Sequence, residues 1–274
     1  MRKLFTSLSQ IVTVNTQGRN IKKGPDSGEV EVLENHSIVV ENGKIADFIP
    51  SGSAVLADFD EVIELKGKVL LPGLIDCHTH TVFAGSRCDE FKMKIAGVDY
   101  EEIARQGGGI AKTMGAVRSI SEAGLLGISR PRINYFISQG ITSLEIKSGY
   151  GLSFDDEVKI LNVISQLNRE FPIDIVPTFL GAHTWPPEYK HDHKGYLDLI
   201  CNKMLPYVAE NRLAMFCDAF CESTAFQPDE TEMILEKASS LGFMLKLHTE
   251  QFNRIGGLEL GIKHKVKSLD HLEV

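Results

Sequence analysis

The rhythm of apolar and polar positions changes near residue 69. Before it, LFTSLSQIVTV, VEVLENHSIVVENGKIADFIP and DEVIELKGKVLLPG carry β-branched and aliphatic residues in partial alternation, broken at Asn42-Gly43 and Gly67. Alternation over short runs predicts strands, and Asn-Gly between two of them predicts a hairpin. Residues 1–68 therefore read as a small β-domain with a structural role, since no titratable cluster falls within it. Residues 69–274 read as strands alternating with helices. VLLPGLIDCHTH, GITSLEIKSGYG, FPIDIVPTFLGAH, AMFCDAFCE, FMLKLHTEQ and VKSLDHLEV are the strands. Among the helices between them, DDEVKILNVISQLNREF repeats apolar residues at Val158, Leu161, Ile164 and Leu167, a helical spacing. HKGYLDLICNKMLPYVAEN, DETEMILEKASSLG (acidic at its start, with Gly242 as C-cap) and GGLELGIKHK read the same way.

Strands separated by helices imply parallel pairing through right-handed crossovers. The predicted fold class is α/β, a (β/α)8 TIM barrel with about six of its eight units present. A closed barrel needs eight strands and typically about 250 residues, whereas about 205 follow Val69. The expectation is a truncated barrel over residues 69–274.

Polar side chains gather at the carboxyl ends of these strands. His78 and His80 end the first, Lys147-Ser148-Gly149-Tyr150 the second, and His183, His248 and His271 the third, fifth and sixth. Active sites of such barrels lie at that face. In a strand, His78 and His80 would share a face about 6.6 Å apart along the backbone. Two imidazoles at that spacing can close on one ion at the roughly 2.0–2.1 Å that zinc requires.

Composition narrows the setting. Hydrophobic residues make up 43% and charged residues 24%, ordinary for a globular protein. A net charge of −8 and a pI near 5.6 argue against nucleic acid as a partner. Five cysteines without a CxxC spacing fit a reducing compartment rather than a disulfide framework. The start MRKLFTSLSQIVTV is basic, but Ser7, Ser9 and Gln10 interrupt its apolar run and no cleavage site follows. No apolar run reaches the length of a membrane span. The expectation is a cytoplasmic protein acting on a small molecule, with no membrane partner and with a homodimer left open.

Several segments resemble the metal-dependent amidohydrolases and, among them, the imidazolonepropionase family. They are PGLIDCHTHTVFAGSR, the Gly-rich segment Arg105 to Ile110, EIKSGYGL, TFLGAHTWPPEY, LKLHTEQ and SLDHL. His-Thr-His is shared across the superfamily, while KSGYGL and GAHxxPPEY are more specific. The resemblance implies an amidohydrolase-type barrel with a β-domain built from both chain ends, of which the C-terminal part is absent here. It implies one divalent ion, zinc or iron, and hydrolysis of 4-imidazolone-5-propanoate to N-formimidoyl-L-glutamate in histidine degradation. His78, His80 and His248 correspond to metal ligands, while the family's eighth-strand aspartate has no counterpart. His271 corresponds to the catalytic group that moves a proton. Arg87 would hold the propionate, Tyr150 and His183 would contact the ring and its carbonyl, and Tyr100 would line the way in. The family often has a glutamate three residues after its fifth-strand histidine, where this chain has Gln251, which can hydrogen-bond but cannot take a proton.

Three features read as incidental. His191 and His193 lie in a charged stretch after Pro186-Pro187 and read as a solvated loop. Lys147 is on the second strand, so a carbamylated lysine bridging two metals is not expected there. Gly107-Gly108-Gly109 could cradle an anion or serve as a lid. Two other readings stand beside the leading one: a different cyclic amidohydrolase or aminohydrolase of the superfamily, and an inactive fragment.

Overall fold

The computed structural model describes residues 1–19, 21–98, 102–103 and 107–274. Tyr100, Arg105 and Gln106 lie outside the described residues. The chain divides into two compact units, Met1–Gly73 and Leu74–Val274.

The first unit holds two small sheets. In one, β1 (Arg2–Thr6) lies between β4 (His36–Glu41) and β6 (Glu61–Glu64), and β5 (Lys44–Pro50) pairs with β4. Asn42 and Gly43 join β4 to β5 with φ of 52° and 79°, the left-handed pair that a tight hairpin needs. In the other sheet β2 (Gln10–Thr13) is flanked by β3 (Glu31–Glu34) and β7 (Val69–Leu70). Leu8, Ile11 and Ile38 form a buried cluster of this unit, with residues from both sheets.

The second unit is a parallel half-barrel. Strands β8 (Leu74–Asp76), β9 (Ile141–Lys147), β10 (Asp174–Ala182) and β11 (Phe216–Cys221) pair in chain order. The fifth position is shared by β12 (Met244–Leu245) and β13 (Leu247–Thr249), and β14 (Leu269–His271) follows. Helices cover each connection, so all carboxyl ends face one side. The run predicted as a single first strand is divided between the units: Val69–Leu70 pairs with β2, and Leu74–Asp76 opens the barrel sheet. Pro72 cannot donate to a ladder, which breaks the run.

The helix Phe154–Glu170 shows why these elements form. Ser153 accepts from the Asp156 amide as its N-cap, three acidic residues occupy the first turn, and Ile160, Leu161, Ile164 and Leu167 are fully buried. The helix after β10 runs from His193 to Glu210 and widens to a π-turn over Leu199–Met204. Pro206, which lacks an amide hydrogen and crowds the carbonyl four residues back, sits just past that turn. His193 is helical, not in a loop, and its ring stacks on Trp185 at 3.7 Å. Cys217 and Cys221 are buried and free.

Three helices between β8 and β9 have no counterpart in the sequence reading: Cys88–Ile95, Ile110–Ser119 and Glu122–Ser138. The longest contains Gly124, Gly127 and Pro131, which read as breakers. Tertiary packing of Leu125, Leu126 and Ile133 outweighs those propensities.

Leu161→Ala would leave a cavity at a fully buried position. The expected loss is about 2–5 kcal/mol by urea denaturation; a change within 0.5 kcal/mol would mean that the site collapses without cost.

Candidate metal and substrate site

Five histidines meet at the carboxyl face of the half-barrel. His78 and His80 follow β8 in the segment after it, not in the strand itself, and their ring centroids are 5.8 Å apart. The short strand reflects Asp76 turning to accept from the His78 amide at 3.3 Å. His248 comes from β13, and its Nε2 is 3.1 Å from His78 Nε2. His271, ending β14, completes a group with these two whose ligand atoms all lie within 4.8 Å of one another. His80 stands beside that group, its ring stacked on His183 with centroids 5.0 Å apart.

The histidine environment suits a cation. Burial, reinforced by the His183 and His248 rings, holds His80 well below the usual imidazole range. Burial pushes His183 down to about 3, and it also lowers His248 despite the nearby Asp218 carboxylate. These imidazoles are neutral near pH 7 and present lone pairs. His80 Nδ1 is buried without a hydrogen-bond partner, as a group awaiting a ligand would be. His248 Nδ1 lies 2.9 Å from Asp218 Oδ2, but it also makes no hydrogen bond. That contact is a close approach outside hydrogen-bond angles. The residues present therefore fit a divalent ion held by imidazole nitrogens.

Beneath the histidines lies a cluster of charges inside the sheet. The ammonium of Lys147, fully buried, is 2.8 Å from both Glu145 Oε1 and Asp218 Oδ2 and 3.4 Å from Asp270 Oδ2. Lys246 is 3.3 Å from the same glutamate oxygen and donates to the Cys77 carbonyl at 2.8 Å. Asp270 Oδ2 is also 3.1 Å from His78 Nδ1. Burial raises the pKa of both aspartates, but their neighbours outweigh it. His248 and Lys147 hold Asp218 well below the carboxylate range, and His78 with Lys147 holds Asp270 below it. Lys147 is pushed up, because these carboxylates overcome its burial.

A cavity of about 580 Å3 opens over the histidines, lined also by Arg87, Glu90, Tyr150, Phe220 and Gln251. Arg87 begins the helix Cys88–Ile95, and its Nη2 is 3.4 Å from the Tyr150 hydroxyl. The His183 Nδ1 is 2.9 Å from the Gly149 carbonyl, which can only accept. Nδ1 therefore carries the hydrogen and Nε2 the lone pair. Gly109 and the end of the glycine run give no anion cradle: the Gly109 amide already donates to Glu90 Oε2 at 3.0 Å.

The charge cluster, Glu90 and Phe220 were not among the expected site residues. A signal for the cluster is visible in the strands. Glu145 and Lys147, Asp218 and Phe220, and Lys246 and His248 each share a parity, placing a charge on the inward face of an apolar strand. Such a charge requires a buried partner.

Curated relatives agree in sequence with the chain over most of its length. It is 46% identical to an imidazolonepropionase of Shewanella oneidensis over 239 residues, 86% of this chain and 59% of the relative. It is 49% identical to one of Hyphomonas neptunium over 213 residues, 78% of this chain and 52% of the relative. The chain thus spans a little over half the length of these relatives. No protein-family model matches it. Among solved structures, the ochratoxinase of A. niger superposes with a TM-score of 0.59 at 15% identity, over 98% of this chain and 59% of that one. The likeness to that structure shows the fold alone.

Lys147→Met should destabilise the second unit by about 3–5 kcal/mol, since it leaves Glu145 and Asp218 buried without their cation. Chemical denaturation measures this. A loss below 1 kcal/mol would mean that the carboxylates find protons or other partners at little cost.

Proposed function

We infer that this chain, which belongs by sequence with the imidazolonepropionases, builds the catalytic pocket of an enzyme that hydrolyses the cyclic amide of 4-imidazolone-5-propanoate to N-formimidoyl-L-glutamate. The observation that carries the reading is one cavity uniting five histidines with an arginine and a tyrosine. An apolar or cationic substrate has no use for the arginine. A carboxylate-bearing ring uses all of them.

One divalent ion, zinc or iron, would be held by His78, His80 and His248, and when bound it supplies a Lewis acid and an acidified water. Arg87 pairs with the propionate through its guanidinium fork. His183, with Nδ1–H committed to Gly149, offers only a lone pair and so accepts from a ring N–H. The ring carbonyl needs a donor, such as the Tyr150 hydroxyl. The His271 Nδ1 is 3.0 Å from Glu273 Oε1, so this ring donates there and keeps its Nε2 free as a base. Nε2 takes a proton from the attacking water and returns it to the leaving ring nitrogen. Gln251 lines the cavity and orients the substrate by hydrogen bonding, without moving a proton. The five free cysteines fit a reducing cytoplasm.

Metal analysis separates ligands from the base. His78→Ala and His248→Ala should lose the bound ion, whereas His271→Ala should keep it and lose turnover. Full occupancy in the first two variants would overturn the ligand assignment.

Arg87→Met tests the substrate. Losing a charged hydrogen bond to a carboxylate should weaken kcat/KM for imidazolonepropanoate by about ten- to a hundredfold. The reading falls if wild-type chain loaded with zinc or iron neither binds nor hydrolyses that compound, and the clamp role falls if the variant equals wild type.

A further inference from the structure

The loop from Ser148 to Ser153, between β9 and the helix Phe154–Glu170, carries Tyr150 into the cavity. Its backbone is unusual. Gly149 has a φ of 101° and Leu152, a branched residue, a φ of 52°. These left-handed positions turn successive amides towards the interior, where they would be stranded without an acceptor. The acceptor is Glu157, 1% exposed, one turn into the helix. Its Oε1 takes the amides of Gly151 at 2.8 Å and Leu152 at 2.9 Å, and its Oε2 takes that of Gly149 at 3.0 Å.

Space around the loop is equally determined. A Cβ on Gly149 would meet the Leu180 carbonyl at 2.8 Å and His183 Nδ1 at 3.0 Å, and one on Gly151 would meet the Glu157 amide at 2.6 Å. With its amide turned inward, Gly149 turns its carbonyl to the His183 Nδ1. That single contact fixes the tautomer of His183, while Tyr150, the next residue, stands 5.4 Å from the His183 ring and 3.4 Å from Arg87.

We propose that Glu157 is a positioning residue for the substrate pocket: its buried carboxylate gathers the amides of residues 149, 151 and 152 and thereby sets Tyr150 and His183 for the ring. Glu157 is in the helix behind the loop and lines no part of the cavity, so it acts only through that loop. The proposal rests on the substrate reading above for its catalytic consequence, but its structural content stands apart from it.

The test uses Glu157→Gln in the metal-loaded chain. The amide side chain keeps one acceptor oxygen and puts an NH2 against at least one loop amide. Hydrogen exchange at residues 149–152, read without substrate, should accelerate at least about tenfold relative to wild type. Bound metal and exchange in β11 and its following helix should stay unchanged. In an active preparation, KM should rise at least about tenfold while kcat changes less. A second variant, Ser153→Ala, removes the helix cap but leaves Glu157 in place, and should not reproduce the KM effect. The proposal is overturned if exchange at 149–152 is unchanged in Glu157→Gln, or if it rises uniformly through the second unit together with loss of metal. Failure of wild type to act on imidazolonepropanoate would remove the substrate reading alone, since the exchange result does not depend on it.

Discussion

The half-barrel is organised around an ammonium buried where no water reaches it. Lys147 has no exposed surface, and moving such a charge out of water costs several kcal/mol even after relaxation. Its place is tenable only because Glu145, Asp218 and Asp270 converge on it from three different strands. The attraction is reciprocal, since those carboxylates are equally unable to stay charged alone. Strands β9, β11 and β14 are thereby fixed in one register by charge as well as by their ladders. A one-residue slip in any of them would send its charge to the helix-covered face.

The same cluster reaches the histidines. Asp218 faces His248 Nδ1 and Asp270 faces His78 Nδ1, so the carboxylates that hold Lys147 also aim the two rings. A carboxylate behind an imidazole fixes its orientation. The cluster counts two ammonium groups against three carboxylates, a surplus of one negative charge under the histidine pole. That surplus favours a positive charge near the lone pairs above it.

The parallel sheet was legible from the chain because its strands are apolar runs separated by long helical periods, and the six positions were placed in order. The histidines at the carboxyl ends were legible for the same reason. The division of VLLPGLIDCHTH between two units was not, because Pro72-Gly73 looks like an internal kink until strand partners on both sides are known. The helix Glu122–Ser138 was hidden by Gly124, Gly127 and Pro131, whose penalties are visible locally while the packing that offsets them is not. Lys147 was noticed as a residue and misjudged as incidental. Its meaning lies in Asp218 and Asp270, 71 and 123 residues further on, and only strand parity hints at that meeting. His183 shows a finer limit. Its presence in the pocket follows from GAH at a strand end, but which nitrogen holds the hydrogen is decided by a backbone carbonyl in another loop.

Strand β9 joins these layers. Its last turn of side chains supplies Glu145 and Lys147 to the charge cluster, and the loop that leaves it carries Tyr150. The charge cluster and the residue that reaches the cavity are therefore consecutive along a single stretch of backbone, separated by Ser148 and Gly149. The Ser148 amide donates to Thr178 and its hydroxyl accepts from Leu180, which ties this transition to β10. The rings of His80 and His183, stacked at an interplanar angle of 14°, meet across the same boundary.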